Sequence, residues 1–526
     1  MPPPIASLLD QELLGAPGIT STCDQPPEAQ LTCATDGAKP VLTVEVNAST
    51  YARWSLRFDA IDTALTGDET LLIKAHHRGT LAPNLYLVER TGRRVAVSLA
   101  HYGLQAGDNT LAIPLREIRD EKNEWPIFAD VREIQLVFEW ADMAGILTLR
   151  SMQFRSVWQE SVQLEESSEE VAKTLTPAPG FLVAPIADQL SAVTQLAFDQ
   201  KGDLWASLQN GRIWRYHDQT DDGVYDERLL YATGFEEVVG LLIDPVDDAV
   251  WVGGRGKLYR TADQDGNGAA DLRELRIEGL PWGRHQNNGL AWSPDPDPFT
   301  GETGAQWLYF GLGSTDDLVV GGDLNATVLR FPRNGNGQAD LEVVSRGNRN
   351  AYTVLWAPVP LDLTQPDGAT AWQLFASENG PDFNDAPDEV NHVRWQHDYG
   401  FPEQFGPVAA DATDGEPYSG PVYPVTAHAS ADGLAYVTNP AWPPEYRTLY
   451  VSLFGEVFSP DPVGHILERI TLLPVETTTG TTYRGEPSPF IIGLDRPLPL
   501  TIAPDGNLVV GDYATGVIYK VRYEGE

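Results

Sequence analysis

Between Asp263 and Glu274 the chain reads Asp-x-Asp-x-Asn-Gly-x5-Glu, with Asp271 inside the span. Oxygen-bearing side chains at alternate positions, a glycine at the sharp turn and a distal carboxylate suit a hard cation that takes about six to eight oxygens. Calcium is therefore expected at Asp263, Asp265, Asn267, Asp271 and Glu274. The competing reading is a polar turn that recurs because its surroundings recur. Weaker versions, DQTDDGVYDE from Asp218 and PRNGNGQADLE from Pro332, keep that reading open.

A second constellation is spread along the chain. His285 lies in GRHQNNGLAWSPD, just ahead of an apolar run, and Arg349 and Asn350 lie in SRGNRNAYTVLW, again just ahead of one. The stretch ENGPDFNDAPDEVN carries Gly380, Pro381, Asp388 and Glu389. A loop histidine taken alone is more often a surface residue than a catalytic one. An Arg-Asn pair at the same place in the next unit makes a shared site the better reading.

The elements that must position these residues are repeats. Apolar strands begin near Thr194, Val238, Asn287, Asn350, Ala431 and Leu498, and each leads through a Pro/Asp/Gly turn into a second strand. One such unit cannot cover its own faces, whereas six closed around an axis bury them all. Residues 181–526 are thus expected to form a six-bladed β-propeller. Asn210-Gly211 suits a two-residue hairpin with both central residues at positive φ. Long insertions fall in the third, fourth and fifth units, in surface loops where sites are built.

Residues 38–158 hold shorter alternating runs such as VLTVEVN, NLYLVERT and EIQLVFEW, the mark of half-buried strands in an antiparallel jelly-roll β-sandwich. Residues 1–37 read as an irregular lead-in, and residues 159–180 as an acidic Ser/Pro linker or a short helix followed by one. The chain is therefore all-β.

Acids outnumber bases 75 to 36 over 526 residues, and the formal net charge is −39. That excludes a phosphate-reading surface, and with it nucleic acid as a partner. No apolar run reaches the length of a membrane span. Cys23 and Cys33 are the chain's two cysteines. They suit either a short-loop disulfide or two thiols. MPPPIASLLDQELL lacks a basic start followed by an apolar stretch, so no signal peptide is read there.

The propeller resembles the soluble quinoprotein glucose dehydrogenases and aldose sugar dehydrogenases, the glucose/sorbosone dehydrogenase family. The resemblance rests on HQNNGLAWSPD, GNRN, ENGP…DEVN…YGFP, NPAWPPEYRTLYVS and APDGNLVVGDYATGVIYKV. It implies pyrroloquinoline quinone (PQQ) and calcium at the propeller mouth and oxidation of a sugar C1 hydroxyl. By position, it makes His285 the general base and Arg349 the cation beside the quinone oxygen. It makes Asn350 and Arg496 cofactor contacts, gives calcium the carbonyls of Gly380 and Pro381, and gives Asp388 and Glu389 a structural ion or loop bracing.

The pattern departs at Phe454, where the family has a lysine, and at Leu498, where it has a second arginine. It departs again at Phe235, in place of a glutamine, and at Ser314, in place of an aspartate. The first domain resembles galactose-binding-like modules, with Trp54, Tyr86, Tyr102 and Trp125 as candidates for stacking on sugar rings or for the core.

Two functions follow. One is a PQQ- and calcium-dependent sugar or alcohol dehydrogenase, brought to polysaccharide by its first domain and lying outside the cytoplasm. The other is a non-redox, calcium-stabilised propeller that binds carbohydrate or acts as an adhesive.

Overall fold

The computed structural model describes the chain outside residues 1–8, 17, 25–29, 36–41, 48–50, 59–64, 81–82, 140–144, 305, 384, 408–417, 457–462, 478–479 and 526. Parts of the lead-in expected to be irregular lie outside the described residues. Two compact units are present. One comprises Met1–Gln159 with Leu230–Gly234 and Gly266–Ala269, and the other holds the rest of the chain.

The first unit is built on two five-stranded antiparallel sheets. One runs, edge to edge, through Thr20–Asp24, Tyr51–Arg57, Val131–Glu139, Asn84–Glu89 and Arg94–Ser98. The other runs through Gln30–Thr35, Leu42–Asn47, Gly145–Arg155, Thr70–Gly79 and Gly107–Pro114. Burial alternates residue by residue along Asn84–Glu89, as a strand with one wet face requires. The inward set, including Leu71, Ile73, Leu85, Leu87, Ile134, Leu136 and Leu149, forms one core. Two of the ten strands come from the stretch expected to be irregular.

Trp54 is fully buried in this core, so it is packing rather than a sugar platform. Trp125 packs against the core, and its indole N–H donates to the Arg116 carbonyl at 2.7 Å. Cys23 is disulfide-bonded, which decides between the two readings of the cysteines.

The second unit is the propeller. Its innermost strands are Val193–Phe198, Val238–Ile243, Asn287–Trp292, Ala351–Pro360, Ala431–Tyr436 and Pro497–Ile502. Each touches the next, and the last touches the first, so six blades close the ring. The closure is sealed by the first and last strands of the propeller: Phe181–Ala187 pairs antiparallel with Ile518–Tyr523 as the outer strand of blade six. Phe181 sits among Trp442, Tyr446, Phe490 and Tyr523 with ring centroids 4.7–5.1 Å away, which ties blade six to blade five.

Residues 159–180, read as a linker or as a short helix followed by one, carry the helix. This helix, Glu166–Ala172, is held at its start by the Asp188 carboxylate, which accepts from Glu165 N at 2.7 Å and Ser168 Oγ at 2.9 Å. Thr176–Pro177 then adds a fifth strand to blade five. The Asn210-Gly211 turn also differs from expectation. Gly211 alone of the pair has positive φ, and its N–H donates to the Leu208 carbonyl, so the turn is a longer loop closed by a left-handed glycine. Alanine is excluded there, since its Cβ would lie 2.1 Å from the Phe235 carbonyl oxygen. Among the described residues no helix is long and apolar enough to cross a membrane.

Candidate active site

Antiparallel pairing decides where the polar loops go. Asn287 pairs with Leu312, Ala351 with Glu378, and Ala431 with Leu453. Residues just before each innermost strand therefore share an end of the blade with residues just after the second strand. In blades three to five this end is polar. His285, Arg349, Asn350, Asn379, Gly380, Ser430 and Phe454 line one cavity of about 590 Å³, together with Arg284, Asp382, Asp388, His428, Gly455 and Glu456. Of the residues expected to meet from three separate loops, His285, Arg349, Asn350 and Gly380 share this cavity.

His285 Nδ1 lies 3.0 Å from the Ser314 carbonyl oxygen and 3.1 Å from its hydroxyl. A carbonyl only accepts, so Nδ1 carries the proton and Nε2 of the neutral ring is left as an acceptor. No partner occupies Nε2 among the described residues. Burial first, then the Arg349 charge, push the imidazole down to about 4. The ring is thus in its base form at neutral pH. Gly313 has to be glycine, because a Cβ there would lie 2.4 Å from His285 Cβ and 2.6 Å from Asn350 Oδ1.

Arg349 is 2% exposed and held on several sides. Its Nε donates to the Asp317 carbonyl at 2.9 Å, Nη2 to Asp317 Oδ1 at 2.7 Å, and Nη1 to the Asn379 carbonyl at 2.9 Å. Its backbone N–H donates to Glu378 Oε1 at 2.6 Å. Glu378 and Glu389 lie opposite one another across two strands, and Asn391 Nδ2 donates to both at 3.0 Å. Burial raises both carboxyls, Glu378 well above its ordinary range with Glu389 adding to the effect.

Asn379 is the hub of the site. Its Oδ1 accepts from Asn350 Nδ2 at 2.7 Å, and its Nδ2 donates to Asp432 Oδ1 at 3.1 Å. Asn350 Oδ1 in turn accepts from Asn288 Nδ2 at 2.8 Å. A belt of carboxamides therefore joins blades three, four and five under the cavity. Sequence reading missed Asn379, Arg284 and Asp317. Asn379 stands inside the ENGP motif, and that context is the one signal it offered.

Other expected site residues are placed differently. Asp388 accepts from Gly380 N at 2.7 Å and Ser430 N at 2.6 Å, and Glu389 accepts from Gly406 N at 2.6 Å, so both brace loops. Pro381 is buried beside Gly380 but is not part of the cavity wall. Arg496 is also outside the wall, with its guanidinium 5.5 Å from the ring centroid of Phe454. Phe235 packs on Tyr259 and under Arg273, and Leu498 is buried in the innermost strand of blade six.

The calcium loop does not assemble as expected. No group of three or more His, Cys, Asp or Glu among the described residues is placed to hold a metal, so Asp263, Asp265, Asp271 and Glu274 form no such cluster. Asp271 accepts from the Gln264 N–H, and Glu274 reaches Arg260 and Arg276. Glu274 stands in a strand, Leu272–Ile277, opposite Arg260, and this register draws it to the arginines instead of the loop.

A family model described as a domain of unknown function, DUF7133, matches residues 167–522. The chain belongs to this family. No curated protein matches it. Among solved structures, the DUF7133 propeller is similar to the holo form of the PQQ domain of pyranose dehydrogenase from Coprinopsis cinerea. The TM-score is 0.52 at 14% identity, over 66% of this chain and 97% of that one. It is also similar to the calcium structure of a carbohydrate-active enzyme of family AA12 from Trichoderma reesei. There the TM-score is 0.53 at 15% identity, over 69% and 99% of the two chains. At these identities the likeness speaks for the DUF7133 fold alone.

Proposed function

We propose that the propeller mouth is the active site of a PQQ- and calcium-dependent sugar or alcohol dehydrogenase, acting on a C1 hydroxyl. The observation that carries the reading is the free Nε2 of His285, in its base form, in one cavity with Arg349 and Gly380. Such a nitrogen accepts a hydroxyl proton. Arg349, locked by Asp317 and Asn379, offers fixed positive charge without having to reorganise.

The donor set fits the two groups in kind. The carbonyls of Gly380, in the cavity wall, and of its neighbour Pro381 accept no hydrogen bond among the described residues, and Asp382 brings a carboxylate to the wall. These are the oxygens a hard cation takes. Arg284 and Arg349 supply counter-charge for an anionic quinone, and each Nη of Arg349 keeps one N–H unspent. Arg496 Nε, buried without a partner behind Phe454, is a further donor at the edge. When bound, the quinone would take up hydride and the calcium would orient and polarise it.

Phe454 favours the second reading, a non-redox carbohydrate-binding propeller, because it presents an aromatic face where the resemblance expects a cation. Location outside the cytoplasm is part of the proposal and is supported by the disulfide at Cys23. The first domain is proposed to hold polysaccharide, with Trp54 removed from its candidates. The test is dye reduction with a panel of aldoses after loading with quinone and calcium. Wild type should turn over, and His285→Ala should be slower by about 10²–10⁴-fold with cofactor binding retained. Equal rates would remove His285 from the chemistry.

A further inference from the structure

We infer that the cavity mouth binds amphiphilic hydroxylated molecules, with the polar head inside and an aryl or alkyl tail on an apolar rim of Trp282, Leu318, Val319, Val320 and Phe383. The inference rests on the reading of the cavity as a hydroxyl-binding site and names the class of molecule that site takes.

The rim residues are 40–52% exposed. Single exposed apolar side chains are ordinary on any surface. Here five of the fourteen large exposed apolar side chains among the described residues fall on three loops that meet at one charged cluster. Arg284 is paired with Asp382 and lies 3.5 Å from Asp317, and the Asp382 N–H donates to Asp317 Oδ1 at 3.0 Å. The Arg284 N–H donates to the Thr315 carbonyl at 2.7 Å, which fastens the first loop to the second.

Each loop thus sets a charged residue of the site close to an exposed apolar one. Leu318 follows Asp317, Phe383 follows Asp382, and Trp282 stands two residues before Arg284. Arg284 and Asp382 line the cavity, so two of the loops that carry the exposed apolar side chains reach its wall. The floor supplies His285, Asn350, Asn379 and Ser430 for hydrogen bonds, whereas the rim adds only the indole N–H of Trp282. A free hexose would satisfy the floor and leave the rim wet. A ligand with a hydroxylated end and an apolar end matches both.

The full chain would be titrated calorimetrically with glucose, 6-O-benzylglucose and 6-O-hexylglucose, which carry the tail away from C1. The tailed sugars should bind at least about tenfold tighter than glucose. The double variant Leu318→Ser/Phe383→Ser should lose that gain and keep its affinity for glucose within about twofold. Val319→Ser should lose part of it. Equal affinities in wild type, a gain retained by the double variant, or no binding of any of the three overturns the inference. So does a wild-type dimer in sedimentation that the double variant abolishes, because a second copy would then cover the rim. Tight binding of the tailed sugars without dye reduction in the loaded protein would sink the dehydrogenase reading and leave this inference standing.

Discussion

The imidazole of His285 donates from Nδ1 to the carbonyl oxygen of Ser314, 3.0 Å away, and the Ser314 hydroxyl donates to the Asp316 carbonyl at 2.8 Å. The neighbour that orients the ring is therefore neutral. The hydrogen bond to the Ser314 carbonyl favours the imidazolium, but burial and the Arg349 charge outweigh it and hold the ring at about 4. Ser314→Asp would put a carboxylate beside Nδ1 and should raise the imidazole by ~1–3 units. NMR titration of the ring checks this, and a ring still titrating near its wild-type value would contradict the neutral-neighbour account.

Gly313→Ala places a methyl against His285 and Asn350 at distances no real Cβ tolerates. It should cost about 1–3 kcal/mol of stability. Turnover should fall further than the folded fraction does, because the imidazole proposed as the base is moved. Denaturant midpoints measured beside dye-reduction rates separate the two effects.

Asp432 is fully buried, and burial raises its carboxyl from 3.8 to about 7. Between those values the folded chain holds a proton that the unfolded chain releases, so this group's contribution to stability falls as pH rises through that window. Asp432→Asn removes the dependence. In calcium-free buffer the variant should match wild type near pH 4 and exceed it at pH 8 by about 2–4 kcal/mol, at about 1.4 kcal/mol per unit. Thermal melts at the two pH values read this out. A variant less stable at pH 8 would show that Asp432 is held charged by a group not accounted for.

The six blade starts were legible because each innermost strand is an apolar run of strand length closed by a turn, and that signal is local. His285, Arg349 and Gly380 were legible as one site because their positions within successive repeats correspond, which ring closure converts into proximity. Arg284, Asp317 and Asp382 were not, since they meet through insertions that no periodicity relates. The calcium loop misled for the opposite reason. Its spacing is a purely local pattern, while Glu274 takes its partners from the strand pairing. The Asn210-Gly211 pair named the glycine correctly but not the turn type, which depends on how many residues the strands leave unpaired.

Phe181 joins the outer strand of blade six to blade five through three aromatic contacts, with Trp442, Tyr446 and Phe490. Phe181→Ala should cost about 3–5 kcal/mol and loosen the ring at its seam. Hydrogen exchange should then accelerate in Ile518–Tyr523 before it does in blade three, where uniform acceleration would show the seam carries no special load.

Calorimetric titration of the purified chain with PQQ tests most directly whether the cavity holds the proposed quinone beside calcium. Wild type with calcium should bind one equivalent. Removing calcium should weaken that binding at least about tenfold, and Arg349→Ala should weaken it in both buffers. A wild-type chain that takes up no quinone with calcium present would contradict the dehydrogenase reading and leave the mouth as a binding site.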